Sequence, residues 1–270
     1  MSLRNHNIWV IGAGFLGATL AEACRREGAR VLTIDPQAVA NLRGSAADET
    51  LLRHALERLV PDIVFCCTAT HGGTPEDYRA AYLEPVVNLD HLLSGTRVIF
   101  CSSTSVYAGR NGETVTEDSP AQAQTERASI LLHAESVVLS SGGVVVRLAP
   151  LYGDERCELV NRFMKRLPVL PGSDSRLLNY LHVEDAADAL LLLGTHPWLQ
   201  DGIYNVSGEC FSKGDIYARL TELTGLDPVP EESEPSVRGA SDMRVDCSRI
   251  RELGWEPICS VMELAREWKD

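Results

Sequence analysis

Three glycines near the start of the chain, Gly12, Gly14 and Gly17, follow an apolar run and have the spacing of a loop that binds phosphate groups. In such a loop the first glycine allows a tight turn, the second lets the backbone approach a pyrophosphate, and the third lets the next helix pack closely on the sheet. The free amide groups and the positive dipole end of that helix then bind the pyrophosphate. This spacing predicts a pyrophosphate site.

A second apolar run, residues 30–34, ends at Asp35, roughly twenty residues beyond the glycines, where a ribose-binding carboxylate is expected. A carboxylate at this place accepts hydrogen bonds from both ribose hydroxyls, and it repels a 2′-phosphate. No arginine occurs at residues 36–38 to bind such a phosphate. The two features together predict a dinucleotide site that takes NAD in preference to NADP.

Helical and strand-like patterns alternate along the first part of the chain, which predicts βαβ units around a parallel sheet. The strand-like runs are apolar throughout, as expected of strands that are covered on both faces. We therefore predict an α/β fold of Rossmann type with a doubly wound parallel sheet. Strands are expected near residues 7–12, 30–35, 62–67, 97–102 and 143–148, and helices near residues 15–28, 48–59, 76–93 and 121–141.

The sequence changes in character near residue 150. Prolines and glycines interrupt residues 167–172, and an acidic, proline-containing loop is expected at residues 228–241. We predict a dinucleotide-binding domain over residues 1–150 and a small C-terminal substrate-binding part over residues 151–270, with some of its elements returning to the first domain. This part would cover the carboxyl ends of the strands, where open α/β sheets bind their ligands.

Charge and cysteine content limit the partners. Lys and Arg number 25 against 38 Asp and Glu, a net charge of −13, whereas nucleic acids and anionic membranes bind basic surfaces. We see no apolar run of membrane-spanning length and no leader segment. The eight cysteines include no C-x-x-C pair, which favours buried thiols in a reducing compartment. We expect a cytoplasmic protein with a small-molecule substrate and without metal, nucleic acid or membrane.

Later motifs resemble those of the extended short-chain dehydrogenase/reductases, the NAD-dependent epimerase/dehydratase family. The resemblance covers nearly the whole chain. It implies NAD-dependent oxidoreduction or epimerisation of a small carbonyl or hydroxyl compound, with a sugar derivative among the candidates, and a homodimer formed through the helices at 76–93 and 121–141. The motifs are the glycine loop with Asp35, the strand end at residues 100–107, and residues 147–153, 179–186, 203–206 and 253–255.

The resemblance also implies a tyrosine and a lysine one helical turn apart, the lysine lowering the pKa of the tyrosine so that it can transfer a proton. Here Arg127 stands at the tyrosine position and Leu131 at the lysine position. Residues 108–151 contain no tyrosine, and the first lysine of the chain is Lys165. The usual dyad is therefore missing. Sugar dehydration is also disfavoured, because residues 104–105 lack the Asp-Glu pair of that subgroup.

The remaining catalytic candidates are Ser103, His71 and Tyr107. Ser103 stands at the active-site Ser/Thr position of the family and would orient a carbonyl oxygen, although a strand-end hydroxyl can instead bind local backbone. His71, in a loop at the nicotinamide side, and Tyr107 could each replace the missing proton donor. The alternatives are a solvent-facing loop histidine and a tyrosine that only packs.

The predicted binding residues form two groups. Arg127 and Arg176 are candidates for an anionic group of the ligand, although both could simply face solvent. Asp185 is expected to cap or support the start of the helix that follows. The predicted cofactor residues are Gly12, Gly14, Phe15, Leu16, Gly17, Asp35, Thr68, Ala69, Thr70 and Ser102, and the predicted substrate-pocket residues are Ser103, Thr104, Arg127, Tyr152 and Arg176.

Two functional classes remain open. The first is an NAD(P)-dependent oxidoreductase or epimerase that works without the Tyr-Lys dyad. The second is a catalytically silent NAD(P)-binding protein, a sensor or a partner-binding protein, which accounts for the missing dyad without a further assumption. Turnover of some carbonyl compound would distinguish the enzyme from the silent binder.

Overall fold

The computed structural model describes residues 3–37, 40–70, 72–107, 111–153, 156–170, 172–196, 202–230 and 242–267. The strands are β1 (Asn7–Ile11), β2 (Arg30–Asp35), β3 (Leu42–Arg43), β4 (Ile63–Cys66), β5 (Arg97–Ser103), β6 (Glu113–Val115), β7 (Val144–Leu148), β8 (Leu151–Tyr152), β9 (Leu177–His182), β10 (Gly202–Val206), β11 (Glu209–Ser212) and β12 (Met243–Val245). The helices are α1 (Phe15–Arg26), α2 (Glu49–Arg58), α3 (Pro75–Tyr78), α4 (Glu84–Leu92), α5 (Glu126–Ser140), α6 (Glu158–Met164), α7 (Val183–Thr195), α8 (Lys213–Thr224), α9 (Ser248–Arg251) and α10 (Val261–Glu267).

Seven parallel strands form the central sheet in the order β10-β7-β5-β4-β1-β2-β3. Every residue of β4 and β7 is buried, because helices cover both faces of the sheet. This confirms the predicted Rossmann-type α/β fold, and the five predicted strands end within one residue of their expected bounds. The strand order reverses between β1 and β4, and open sheets of this kind bind ligands at such a crevice.

Two predicted helices differ from the structure. The helix expected at 121–141 begins only at Glu126, because the Thr125 hydroxyl accepts a hydrogen bond from the Ala128 N–H and caps the first turn. The helix expected at 76–93 is interrupted. Helix α3 runs into a π-helical turn at Arg79–Leu83, and α4 follows from Glu84.

Helices and strands from beyond residue 150 contribute both to the central sheet with its covering helices and to a separate C-terminal core. Strand β10 pairs with β7 at the edge of the central sheet, and α7 packs on α1. Strands β8, β9 and β11 form a second, small sheet. A separate apolar core joins α6, α8 and α10, with Leu159, Ile216 and Val261 completely buried. The C-terminal half therefore has its own core, and it also contributes β10 and α7 to the central sheet and its helical cover.

Residues 129–132, on one of the two helices expected to form a homodimer, expose little apolar surface. Ile130 and Leu131 are buried within the chain, and only Ser129 of the four is exposed. Homodimer formation stays a prediction. None of the described helices is long and apolar enough to span a membrane.

Candidate functional site

A cavity of about 750 Å³ lies at the carboxyl ends of the central strands. The turn after β1 and the loops after β2 and β4 line one side of it, and the end of β5, α5 and the segment after β7 line the other. Of the described residues beyond 150, Leu151 and Arg156 reach it. The cavity therefore lies at the point predicted from the strand order, mostly within the first 150 residues.

Three glycines shape the turn from β1 into α1. Gly12 has a φ of +86°, and a Cβ there would lie 2.7 Å from the carbonyl carbon of Cys67. A Cβ on Gly17 would lie 1.8 Å from the Gly12 carbonyl oxygen, so Gly17 acts by close packing and does not line the cavity. Gly14 lines the cavity, has no atom within 4 Å of such a Cβ, and begins α1 without a side-chain cap. The turn leaves room and free backbone amides for a pyrophosphate.

Asp35 lies at the same end of the cavity. One carboxylate oxygen accepts a hydrogen bond from the Ala13 N–H and the other from the Gln37 N–H, each at 2.8 Å. These bonds fix the carboxylate beside the glycine turn and leave further lone pairs for ribose hydroxyls. Phe15, Leu16 and the segment Gly44-Ser45-Ala46 also line this part of the cavity. The residues present fit the adenosine and pyrophosphate portions of NAD.

The loop after β4 lines the middle of the cavity with Thr68, Ala69 and Thr70. The Thr68 hydroxyl donates a hydrogen bond to the Ala81 carbonyl at 2.5 Å, and the Thr70 N–H donates to the Tyr82 hydroxyl at 3.1 Å. The loop is thus tied to the π-helical turn. His71, our candidate proton donor, lies outside the described residues.

Tyr82 and its neighbours on the π-helical turn are residues that the sequence analysis missed. Tyr82, Ala81 and Asp77 line the cavity from the interrupted helix. Burial raises the pKa of Tyr82, so its side chain is a neutral phenol near neutral pH. The sequence offers no signal for this placement, because the π-helical turn that directs Tyr82 cannot be recognised in the apolar pattern of residues 76–93.

Ser102 and Ser103, at the end of β5, both line the cavity. The Ser103 hydroxyl accepts a hydrogen bond from the Ser105 N–H at 3.1 Å, so the local backbone contact that we considered as an alternative exists. Its own proton remains able to reach a ligand oxygen. The Ser102 hydroxyl donates to Glu135 at 2.5 Å.

Glu135 belongs to a buried network beneath the cavity. Arg147 donates two hydrogen bonds to its carboxylate, at 3.1 and 2.6 Å, and a third to the Tyr107 hydroxyl at 2.8 Å. The Tyr107 hydroxyl donates in turn to Asn205 at 2.9 Å. Tyr107 is only 1 % exposed, and it is absent from the described cavity lining. This places it away from the ligand, because its hydroxyl is used within the core.

The arginines are arranged differently from our prediction. Arg127 is exposed, and its guanidinium lies 5.6 Å from the centroid of the Tyr78 ring. Arg176 lies outside the described cavity lining, because its side chain packs against Gly172. Arg156 lines the cavity instead, with its guanidinium 4.6 Å from the Phe15 ring centroid. Arg156 stands in a loop of irregular sequence, so no pattern points to it.

Two further residues predicted for the substrate pocket are buried beside it. Thr104 is 3 % exposed and begins a short 3₁₀ turn at residues 104–106. Tyr152 is 2 % exposed, with its ring 5.0 Å from that of His182. Neither belongs to the described cavity lining. Both side chains are therefore directed into the protein.

The helix α5 presents an apolar residue to the cavity. Leu131, at the position expected for lysine, lines it, whereas Arg127, at the position expected for tyrosine, does not. The sequence of α5 contains neither tyrosine nor lysine. The cavity side of this helix therefore offers no group that can exchange a proton.

Two thiols complete the cavity wall. Cys67 and Cys101 line it, with their sulfur atoms 3.6 Å apart. The hydrogen bond with Cys101 and burial both raise the pKa of the Cys67 thiol well above its ordinary value. A neutral, buried thiol is a poor nucleophile and a poor metal ligand, so these cysteines act as small apolar side chains.

The turn from β9 into α7 serves the fold. His182 caps α7 by accepting the Glu184 N–H at Nδ1, at 3.3 Å, so of the two structural roles expected for Asp185, capping falls to His182. Asp185 instead accepts the N–H groups of Ile258 and Cys259, because its side chain points from α7 toward that segment. His182, Glu184 and Cys259 offer donor atoms within 4.8 Å of one another. The capping bond occupies Nδ1 and leaves the proton on Nε2, so the ring has no free lone pair for a metal.

Comparisons with known proteins agree with this geometry. A family model described as the NAD dependent epimerase/dehydratase family matches residues 8–207. No match was found among curated proteins.

Three solved structures cover nearly all of the chain. MoeE5 in complex with UDP-glucose and NAD is 22 % identical, covers 97 % of this chain and 98 % of its own, and has a TM-score of 0.79. UDP-glucose 4-epimerase from Thermotoga maritima with UDP-glucose is 19 % identical, with 96 % of both chains covered and a TM-score of 0.79. The Bordetella bronchiseptica enzyme WbmG in complex with NAD is 21 % identical, with 97 % of this chain and 92 % of its own covered and a TM-score of 0.79.

At these identities the structural likeness establishes the fold alone. The family match extends from Ile8 in β1 to just beyond the end of β10 and includes every described residue that lines the cavity. The chain belongs to the NAD-dependent epimerase/dehydratase family.

Proposed function

We propose that this protein binds NAD(H) in the cavity and uses it to oxidise, reduce or epimerise a small hydroxyl or carbonyl compound, such as a sugar derivative. One observation carries the proposal. A single continuous cavity joins the glycine turn and Asp35 to the Ser103 hydroxyl. A dinucleotide whose adenosine lies near Asp35 would extend across the turn and bring its nicotinamide toward the ends of β4 and β5.

The adenosine end favours NAD over NADP. The Asp35 carboxylate would face the ribose hydroxyls and repel a 2′-phosphate. Arg43 lies opposite Asp35 on the neighbouring strand, but its Nε donates to the Pro36 carbonyl at 3.0 Å and its side chain is absent from the described cavity lining. No cationic side chain is thus directed at the place of a 2′-phosphate within the described residues.

The end of the cavity near Ser103 would orient the substrate. When bound, NAD(H) would accept or donate the hydride. Ser103 would donate a hydrogen bond to the substrate oxygen and hold it beside the strand ends, and Leu131, Leu148 and Leu151 would exclude water from the reacting carbon. Because α5 carries no tyrosine or lysine, the proton must come from another element.

The apolar side chain that α5 presents to the cavity also favours a second function. An apolar residue where the family dyad would stand fits a protein that binds NAD(H) and turns nothing over. Such a protein would report the cofactor to a partner. It would have the cofactor half of the site intact and would need no proton donor.

The test begins with titrations of NADH and NADPH against the wild-type chain, Asp35→Ala and Asp35→Asn. We expect micromolar NADH affinity, weakened about tenfold (about 1.4 kcal/mol) in Asp35→Ala, and weaker NADPH binding. Asp35→Asn is the matched control for charge, because it keeps a hydrogen-bond acceptor but removes the repulsion of the 2′-phosphate. The ratio of NADH affinity to NADPH affinity should therefore be smaller in Asp35→Asn than in the wild-type chain.

Turnover is then measured with UDP-glucose, which two of the similar structures contain, and with a panel of simple carbonyl and hydroxyl compounds. Oxidation, reduction or epimerisation of any of them supports the enzyme. Tight NADH binding with no turnover across the panel supports the silent binder. Failure to bind either nucleotide would contradict both functions.

A further inference from the structure

The π-helical turn at Arg79–Leu83 is a built feature of the cavity wall. A π-helical turn inserts one residue into a helix, which frees a carbonyl group and rotates the following side chains. Here the Thr68 hydroxyl donates a hydrogen bond to the Ala81 carbonyl at 2.5 Å. The Thr70 N–H donates a hydrogen bond to the hydroxyl of Tyr82, the residue after Ala81. Two hydrogen bonds thus tie the loop after β4 to the π-helical turn.

The hydroxyl of Tyr82 is arranged as a donor toward the cavity. Its oxygen accepts a hydrogen bond from the Thr70 N–H at 3.1 Å, and the Thr70 side chain also lies close enough to lower the pKa of Tyr82. The ring is fixed by edge contact with Phe100, at 6.4 Å between centroids. The Thr70 hydroxyl oxygen is buried and makes no hydrogen bond of ordinary geometry within the described chain. Both residues line the cavity, so their two hydroxyl groups lie together where a polar ligand atom can bind them.

Tyr82 also lies beside the place where the family dyad is missing. The helices that follow β4 and β5 run parallel to each other, because both connect strands of one parallel sheet. At their first turns, Arg127 of α5 stacks over Tyr78. One turn further along each helix, Leu131 and Tyr82 both line the cavity. The neighbouring helix therefore brings a phenol to the cavity wall one turn beyond Tyr78, as α5 brings Leu131 one turn beyond Arg127.

We propose that Tyr82 is the proton donor of this site and replaces, from the interrupted helix, the tyrosine that α5 lacks. This assignment rests on the proposed NAD-dependent function. In the direction of reduction, the hydride for the carbonyl carbon would come from bound NADH, which is the reductant. The Tyr82 O–H gives its proton to the carbonyl oxygen, which becomes a hydroxyl, and the Thr70 N–H stabilises the phenolate until solvent returns a proton.

The surroundings of Tyr82 suit an acid better than a base. Burial is the main cause that raises its pKa, and the nearby Tyr78 and Cys66 raise it further, while the Thr70 N–H lowers it. The phenol therefore keeps its proton near neutral pH until the reaction takes it. The cationic ring of NAD⁺, close to this hydroxyl, would lower the pKa of Tyr82, whereas the neutral ring of NADH would not.

The experiment uses the whole protein labelled with ¹³C at the ζ carbon of tyrosine. The Tyr82 resonance is the one that disappears in Tyr82→Phe, and its titration is followed with no nucleotide, with NAD⁺ and with NADH, each at a concentration shown to saturate binding. We expect NAD⁺ to lower the titration midpoint of Tyr82 and NADH to leave it nearly unchanged. Tyr78, which packs on Tyr82 at 5.2 Å but lies outside the described cavity lining, should respond to neither and serves as the control.

Turnover gives the second measurement. Tyr82→Phe should keep the NADH dissociation constant and lose about 10²- to 10⁴-fold in kcat, while Tyr78→Phe keeps both. Equal Tyr82 titrations with NAD⁺ and NADH, or unchanged kcat in Tyr82→Phe, would overturn the assignment. Because binding and turnover are measured separately, loss of this inference is distinguishable from failure of the proposed function. That failure would show as absence of nucleotide binding, or as binding by the wild-type chain without turnover of any compound, and would remove the assignment with it.

Discussion

The glycine turn after β1 and the helix α5 face the same cavity but are built from different parts of the chain. The turn presents backbone: Gly12 and Gly14 line the cavity, and Gly17 permits the packing behind them. Helix α5 can act only through side chains, and it presents Leu131. Backbone amides bind a pyrophosphate whichever small residues flank them, whereas proton transfer needs a particular side chain at a particular place. The glycine turn thus has a backbone suited to a pyrophosphate, whereas α5 presents neither tyrosine nor lysine to the cavity.

Helix α5 also has a structural role, one turn beyond Leu131 on the same face. There Glu135 receives both the bidentate contact of Arg147 and the Ser102 hydroxyl. Both charged side chains are no more than 4 % exposed. The helix is therefore held in place by a buried ion pair, which does not depend on the side chain that the helix presents to the cavity.

The largest effect is expected from breaking this pair. Glu135→Ala leaves the Arg147 charge buried without a counter-charge, and we expect the free energy of unfolding to fall by about 3–5 kcal/mol. Glu126→Ala is the matched control on the same helix: its contact with Arg79, at 3.4 Å, is exposed and should contribute less than about 1 kcal/mol. Urea denaturation measures both. Equal losses in the two variants would show that the buried pair does not anchor α5.

The second comparison separates packing from cofactor approach within the glycine turn. Gly17→Ala places a methyl group against the Gly12 carbonyl, and we expect it to destabilise the fold by roughly 3 kcal/mol. Gly14→Ala meets no atom within 4 Å, so its stability should stay within about 0.5 kcal/mol of wild type. Its methyl group would lie where the pyrophosphate approaches, and NADH affinity should fall about tenfold.

Urea denaturation and NADH titration on the same preparations test the two glycines together. A Gly14→Ala protein that binds NADH as tightly as wild type would mean that the nucleotide does not cross this turn. A Gly17→Ala protein of full stability would mean that the close contact between turn and helix is relieved at no cost.

The same difference decides what could be predicted from sequence. The glycine spacing, Asp35 and the apolar strands are local patterns, and the structure places all of them as expected. Strand β9 and the buried network around Arg147 were not predicted, because the partners of Arg147 lie 12 and 40 residues away in the chain. The positions of Tyr82 and Arg156 depend on a π-helical turn and on a loop, which have no sequence period. Motifs formed by residues close together in the chain could be predicted from the sequence. Contacts between side chains that only the tertiary structure brings together could not.

The smallest effect is expected at the rim of the cavity. Arg156 is exposed and stacks on Phe15, which follows the glycine turn. Its charge lies near the expected pyrophosphate but is screened by water, so Arg156→Ala should weaken NADH binding only severalfold, by about 1 kcal/mol or less. The loss should shrink further as salt is added. Arg156→Lys keeps the charge without the planar stacking and should retain most of the affinity.

Arg219 provides the matched control for this rim contact, because it stacks on Phe211 at 5.1 Å in a part of the chain that is absent from the described cavity lining. Arg219→Ala should leave NADH binding unchanged at every salt concentration. If Arg156→Ala behaves in the same way, the backbone of the glycine turn binds the pyrophosphate without help from a side-chain charge. A loss much larger than tenfold would instead show that Arg156 closes over the bound nucleotide, and the cofactor end would then depend on a side chain as the catalytic end does.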